Sequence, residues 1–167
     1  MSDGRPSGGH GPPLHVALLH PEIGPNTGNA GRLCLGLGAR LHLVHPLGFQ
    51  TDDKAVRRAG LDYWKHVDVV EHASRTAFFE WVGDRRLPAF TARAGGPYIH
   101  ADYQHGDILL FGCESKGLPK EVMERAGVVP LNIPVGGEVR SLNLSNAVAV
   151  AAYAAMARIT PERFVAS

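Results

Sequence analysis

The chain predicts an α/β protein, a mostly parallel sheet covered by helices on both faces. Three observations carry this. Short apolar runs such as Leu14–Leu19, Arg40–Val44 and Ile108–Phe111 recur along the 167 residues, and they read as strands buried on both sides rather than as alternating, half-exposed ones. Segments with helix caps stand between them. Gly or Pro closes most of the runs. Strands that alternate with helices pair in parallel, because a parallel neighbour needs a crossover to reach it.

The elements follow in order. Residues 1–13 are rich in Gly, Pro and Ser and read as a disordered tail. One domain is expected over 14–160, and 161–167 form a short C-terminal tail. Leu14–Leu19 is the first strand, stopped by Pro21 and Pro25. Asn26-Thr27-Gly28-Asn29 caps a helix that runs through Arg32 and Leu33 and ends near Gly36–Gly38. Arg40–Val44 is the second strand. Asp52 and Asp53 open a basic helix with Lys54, Arg57 and Arg58, stopped at Gly60; acids at its start and bases later suit the helix dipole. Val67–Val70 is the third strand, and Ser74 caps a helix to Val82. Leu87–Thr91 is the fourth strand despite Pro88, and Ile108–Phe111 the fifth. Pro119 sits at a favoured first-turn position of a helix to Arg125. Val128–Ile133 is the sixth strand, and an Ala-rich helix closes the domain.

Composition sets bounds. Hydrophobic residues are 44% and charged residues 20%, ordinary for one globular domain with a real core. The formal net charge of +1 neither demands nor excludes a nucleic-acid partner. Cys34 and Cys113 stand in no paired motif and read as reduced thiols of a cytoplasmic protein. No apolar run approaches ~18 residues, so no membrane partner is expected. The nine histidines show no metal-ligand spacing, so no metal is expected either.

In parallel sheets ligands sit beyond the carboxyl ends of the strands. That singles out the loops after Leu19, Phe90, Phe111 and Ile133. The first lacks both the dinucleotide and the phosphate-loop glycine fingerprints. The last, Val135-Gly136-Gly137-Glu138-Val139-Arg140, leads into Ser141-Leu142-Asn143-Leu144-Ser145-Asn146. This polar cluster caps the last helix and offers backbone N–H groups to a ligand. Arg32 reads either as an exposed helix arginine or as a guanidinium fork for phosphate or carboxylate. Lys54, Arg57 and Arg58, beside Tyr63 and Trp64, read as a solvated face or as an RNA contact with stacking rings. From Ala147 to Ala157 the last helix is apolar all round. One face should pack on the sheet and the other on a second copy of the chain, with Ala151 and Ala154 on that seam.

Three motifs, taken together, resemble those of the SPOUT superfamily of RNA methyltransferases. They are Asn26-Thr27-Gly28-Asn29-Ala30-Gly31-Arg32, Phe111-Gly112-Cys113-Glu114-Ser115-Lys116-Gly117-Leu118-Pro119, and Ile133-Pro134 through Arg140-Ser141-Leu142-Asn143-Leu144-Ser145-Asn146-Ala147. The compact length, with Asp52-Asp53-Lys54 and Arg57-Arg58-Ala59-Gly60-Leu61-Asp62-Tyr63, is similar to the bacterial enzymes that methylate the tRNA wobble nucleotide. The likeness spans about Leu14 to Arg158.

The resemblance implies a C-terminal deep trefoil knot, S-adenosylmethionine as cofactor, tRNA as substrate, a homodimer through the last helix, and 2′-O-ribose methylation. By position it implies a cofactor site of Phe90, Thr91, Gly112, Ile133, Ser141, Leu142 and Asn146. The implied catalytic residues are Arg32, Glu114 and Arg140, Glu114 being either a catalyst or a structural ligand of the knot loop. Lys54, Arg57 and Arg58 would meet the RNA. Another RNA target, or a non-catalytic RNA-binding role on the same fold, stands as the alternative. The Gly-rich 135–139 loop departs from the family pattern and leaves substrate selection open.

Overall fold

The computed structural model describes residues 11–52, 54, 56 and 61–165. The strand β1 (Leu14–Leu19) is buried at every position, so both of its faces are covered and its place is central. It pairs in parallel with β2 (Arg40–Val44) on one side and β6 (Asp107–Phe111) on the other. β3 (Val69–His72), β4 (Leu87–Phe90), β5 (Gly96–Pro97) and β7 (Val128–Asn132) complete a seven-stranded sheet in the order β3-β2-β1-β6-β4-β7-β5. Every strand pairing in it is parallel.

Among the described residues four α-helices have both ends defined: α1 (Gly24–Leu37), α2 (Arg75–Val82), α3 (Lys120–Met123) and α4 (Leu144–Ile159). Successive strand residues point to opposite faces. Leu14, Val16, Leu18, Leu41, Leu43 and Leu109 therefore join α1 and α4 in one core. Ala17, Leu19, Val44, Ile108 and Leu110 join Phe78 and Val82 of α2 in the other.

Several boundaries depart from expectation for identifiable reasons. The third strand starts two residues late. A 3₁₀ turn over Leu61–His66 takes Val67, whose N–H donates to the Trp64 carbonyl. Pro88 removes a ladder donor from β4, and β4 meets β6 at the single pair Ala89–Leu110. The helix predicted from Pro119 is one short turn. The two-residue β5 had no signal in the sequence, its residues being Gly and Pro. Beyond α4, Pro161–Phe164 forms a 3₁₀ turn whose Arg163 donates to the Leu37 carbonyl. Of the basic helix, Lys54 and Val56 are helical; Arg57 and Arg58 lie outside the described residues.

One polar row crosses the α2 face. His15 on β1, His42 on β2 and His72 on β3 are all buried. His15 Nδ1 lies 2.8 Å from His42 Nε2, and His42 Nδ1 lies 3.0 Å from His72 Nε2. The Trp81 ring lies tilted against all three, with ring centroids 5.6, 4.4 and 5.4 Å away in turn. No helical or strand periodicity announces this row, because each member comes from a different strand.

Candidate cofactor site

The site is built at the carboxyl ends of β4, β6 and β7, starting with the loop after β6. Gly112–Leu118 folds back on itself, closed by an antiparallel bridge between Cys113 and Gly117. Gly117 holds a left-handed backbone with φ of 68°, which glycine adopts without steric cost. A Cβ on Gly112 would stand 2.1 Å from the Gly117 carbonyl carbon and 2.3 Å from the Leu118 nitrogen. The glycine therefore serves the loop's own closure. Its Cβ direction is filled by backbone, and the residue itself lines the cavity described below.

A hydrogen-bond relay ties this loop to its neighbours. Glu114 accepts from the backbone N–H of Glu22 at 2.9 Å and of Ile23 at 2.7 Å. It also accepts from Asn26 Nδ2 at 3.2 Å. Glu22 answers by accepting from the Ser115 N–H at 3.2 Å and the Ser115 hydroxyl at 2.5 Å. Contacts from the Cys113 and Ser115 side chains hold the Glu22 carboxyl below its ordinary range. Asn26 Oδ1 accepts from Asn143 Nδ2 at 3.1 Å. Asn143 caps α4, its Oδ1 accepting from the N–H groups of Ser145 and Asn146.

This changes the reading of two features. Glu114 has both oxygens engaged by donors on the α1 entrance, the geometry of a structural clamp. At the α4 N-terminus, expected to present free N–H groups, those of Ser145 and Asn146 are taken by Asn143. Glu22 had no assigned role in the sequence, Asn143 stood inside the capping cluster, and Asn26, read there as part of the α1 cap, lies inside the helix, whose N-cap is Ile23.

The remaining wall comes from β4 and β7. The Phe90 and Phe111 rings stack at 4.7 Å. The Thr91 N–H donates to the Leu131 carbonyl at 3.0 Å, and its own carbonyl accepts from Asn132 Nδ2 at 2.9 Å. Both backbone groups of Thr91 are thus spoken for by β7, and its hydroxyl accepts from the Arg93 N–H at 3.2 Å.

Between these loops opens a cavity of about 490 Å³, within the size range of small-molecule sites. Phe90, Thr91, Gly112, Ile133, Ser141 and Leu142, which the resemblance gave as cofactor residues, line it together with Glu114 and Arg140, which it gave as catalytic. So do Leu118, Leu144 and Ala147, which the sequence did not single out because they look like ordinary core residues. Asn146 is exposed on the first turn of α4 and is not part of the lining. Arg32 is also away from the wall: it is exposed on α1, with its guanidinium 5.4 Å from the centre of the Tyr63 ring. Lys54 is exposed on its helix and apart from the cavity. Cys34 is buried on the inner side of α1, and that burial pushes its thiol up to about 12, so it is inert.

Among the described residues, no group of three or more His, Cys, Asp and Glu is arranged to hold a metal ion. None of their helices is long and apolar enough to cross a membrane. An open parallel sheet with one loop-built cavity beyond its strand ends, mixed in polarity and lacking a phosphate loop, defines a small-cofactor α/β protein. The chain belongs to the SpoU rRNA Methylase family, whose model matches residues 13–153.

The relatives agree. The tRNA (cytidine(34)-2'-O)-methyltransferase of Escherichia coli (strain K12) is 44% identical over 143 residues, which are 85% of this chain and 91% of that protein. A solved structure concerned with the 2-OH methylation of C/U34 on tRNA is 48% identical, with a TM-score of 0.84, and the match covers 89% of this chain and 97% of that one. An AdoMet-bound rRNA methyltransferase from Sinorhizobium meliloti is 25% identical with a TM-score of 0.79, over 92% of this chain and 57% of that one.

Proposed function

We propose that this protein transfers a methyl group from S-adenosylmethionine to the ribose 2′-oxygen of the wobble nucleotide of tRNA, working in the cytoplasm as a homodimer. The observation that carries the reading is the cavity at the ends of β4, β6 and β7, in a chain 44% identical to a tRNA cytidine-34 2′-O-methyltransferase. The cavity suits the cofactor. Ile133, Leu118 and Leu142 offer apolar faces to a heterocycle. Thr91 and Ser141 supply hydroxyls nearby, and nothing there is built for a polyphosphate. Bound S-adenosylmethionine supplies an electrophilic methyl group. The fold for this reading is the family's trefoil knot, with the loops after β6 and β7 as its threaded segments.

The chain's own residues have separable tasks. Phe90, Ile133 and Leu142 hold and orient, and the loop around Gly112 excludes water from the reacting side. Glu114 acts as a positioning residue, since its carboxylate is spent on the α1 entrance. Arg32 remains a cation, because a guanidinium keeps its proton. It places the target phosphate and stabilises the alkoxide that develops as the hydroxyl loses its proton. Arg140, on the cavity wall, supports the same charge. Lys54, Arg57 and Arg58 extend the RNA surface.

The dimer rests on α4. Its inner face, with Val148, Ala151, Ala152, Ala155 and Met156, is fully buried in this chain's own core. Ala151 is therefore a core residue and not a seam residue, contrary to the all-apolar reading of the helix. The outer face carries Ala149, Val150, Tyr153 and Ala157, with Tyr153 50% exposed beside Phe164. Because α1 packs beside α4, a seam there brings the helix that carries Arg32 to the edge of the partner chain. Tyr153→Asp should yield a folded monomer in light scattering with little transfer activity. Ala151→Trp should instead unfold the chain, by overpacking of the core. A fully active Tyr153→Asp monomer overturns the dimer requirement.

The substrate is tested by mass-spectrometric mapping of tRNA from a strain lacking the gene. Wobble 2′-O-methylation should vanish and return with the wild-type copy; unchanged methylation defeats the reading. Arg32→Ala should lose transfer by about 10²-fold or more, on the scale of losing a transition-state charge partner, while calorimetry shows cofactor binding retained. Collapse of cofactor affinity with turnover preserved at saturating cofactor would refute its role.

A further inference from the structure

Three cations ring the mouth of the cavity, each on a different loop. Arg93 follows β4, Lys116 follows β6 and Arg140 precedes α4. All three line the cavity and are exposed. None has a carboxylate within ion-pair distance among the described residues. The family motifs quoted above draw attention to Arg140 alone; Arg93 lies outside all of them.

Among the described residues, no acid nearby is ion-paired with these three cations. Glu114 has both oxygens on donors of the α1 entrance. Glu22 is engaged by Ser115, and Lys116 reinforces its ionised form from a distance. Glu138 is exposed in the loop before α4 and pairs with none of the three. Exposed cations without an ion-pair partner at the mouth of a cavity attract an anionic strand.

The rim is ill suited to the cofactor, which carries a sulfonium and an ammonium against one carboxylate. Exposed cations on three loops are well suited to successive phosphates of a nucleic-acid strand, because binding them releases counterions at little desolvation cost. The rim also stands where a ribose must enter for its 2′-hydroxyl to reach the cavity. We propose that Arg93 and Lys116, with Arg140, form a phosphate clamp that grips the RNA strand on either side of the target ribose. This rests on the methyltransferase reading above, and it gives an RNA-positioning role to Arg93, which lies outside the motifs, and to Lys116, which lies inside the second motif but had no role assigned to it.

The experiment uses the full-length dimer and an anticodon stem-loop RNA in a salt series, with affinity read by fluorescence anisotropy. Arg93→Gln and Lys116→Gln should each weaken binding uniformly across anticodon sequences. Each should reduce the slope of log affinity against log salt by about 0.7, and the double variant by about 1.4. Arg93→Lys should keep the slope. The KM for RNA should rise while kcat at saturating RNA holds, and calorimetry should show cofactor affinity unchanged. Because both side chains are exposed, melting temperatures should match the wild type. An unchanged slope, or a loss confined to cofactor binding, overturns the clamp. The two readings fail separately: wild type that binds RNA with the stated slopes but methylates no tRNA defeats the proposed reaction and leaves the clamp standing. Wobble methylation with flat slopes does the reverse.

Discussion

Gly112→Ala should abolish cofactor binding and lower stability at the same time. Its new methyl would stand 2.1 Å from the Gly117 carbonyl carbon, 2.3 Å from the Leu118 nitrogen and 2.4 Å from the Gly117 oxygen. All three are backbone atoms of the loop's return leg, so no rotamer change relieves the clash. The loop must open, the Cys113–Gly117 bridge must break, and Ser115 must leave Glu22. Overpacking of this kind costs about 1–3 kcal/mol, with more where backbone must move. The cavity loses one wall, so cofactor affinity should fall at least about 100-fold, on the scale of about 3 kcal/mol. Calorimetric titration with S-adenosylmethionine and a thermal melt check both parts. Near-normal affinity with wild-type stability would show that the loop tolerates opening. Gly136, with nothing near its Cβ position, is the control: Gly136→Ala should change neither.

Acid should destabilise the fold through the histidine row. The His15, His42 and His72 rings lie between the sheet and Trp81. Burial lowers all three, His15 from 6.5 to about 4 and His42 and His72 in the same direction. The positive charges of Arg40 and Arg85 add to the effect on His15 and His42, and the His15 and His72 rings press further on His42. Asp68 opposes the shift at His15 and His105 supports it.

These groups are depressed bases, so the folded state binds protons less readily than the unfolded chain. Their contribution is fully present above pH 6.5 and is lost as pH falls from there toward about 4. For His15 alone the loss is on the order of 3 kcal/mol, at ~1.4 kcal/mol per pKa unit. Urea unfolding at a series of pH values should show stability flat above neutrality and falling steeply below 6. NMR of the imidazole protons should show His15 and His42 neutral at pH 5.5. A stability curve that stays level down to pH 4.5 would refute the effect. His42→Ala should destabilise at every pH, because it leaves His15 Nδ1 and His72 Nε2 buried without partners.

The strands and the site's loops were legible in the sequence to different degrees. Leu14–Leu19 and Arg40–Val44 could be read to the residue, because a strand buried on both faces leaves an unbroken apolar run. The histidine row could not, since it joins residues 27 and 30 positions apart. The same holds for Glu114, whose three donors lie 88 to 92 residues away. Its motif position marked it as important, while its partners showed that it clamps the α1 entrance.

The sequence by itself determined the α/β class, the order of most elements and three of the loops that line the cavity, those after Phe90, Phe111 and Ile133; the loop after Leu19, also singled out, is not part of the lining. The sequence could do so because burial patterns, caps and turn residues are properties of neighbours along the chain. Only the tertiary structure decided that Gly112 closes its own loop and that Asn143 caps α4 and joins the relay through Asn26. It also decided that Ala151 faces inward while Tyr153 faces out, and that Arg93, Lys116 and Arg140 meet around one opening. The relay through Asn26 and the meeting of the three cations depend on which segments the parallel crossovers bring together, and no local preference along the chain encodes that.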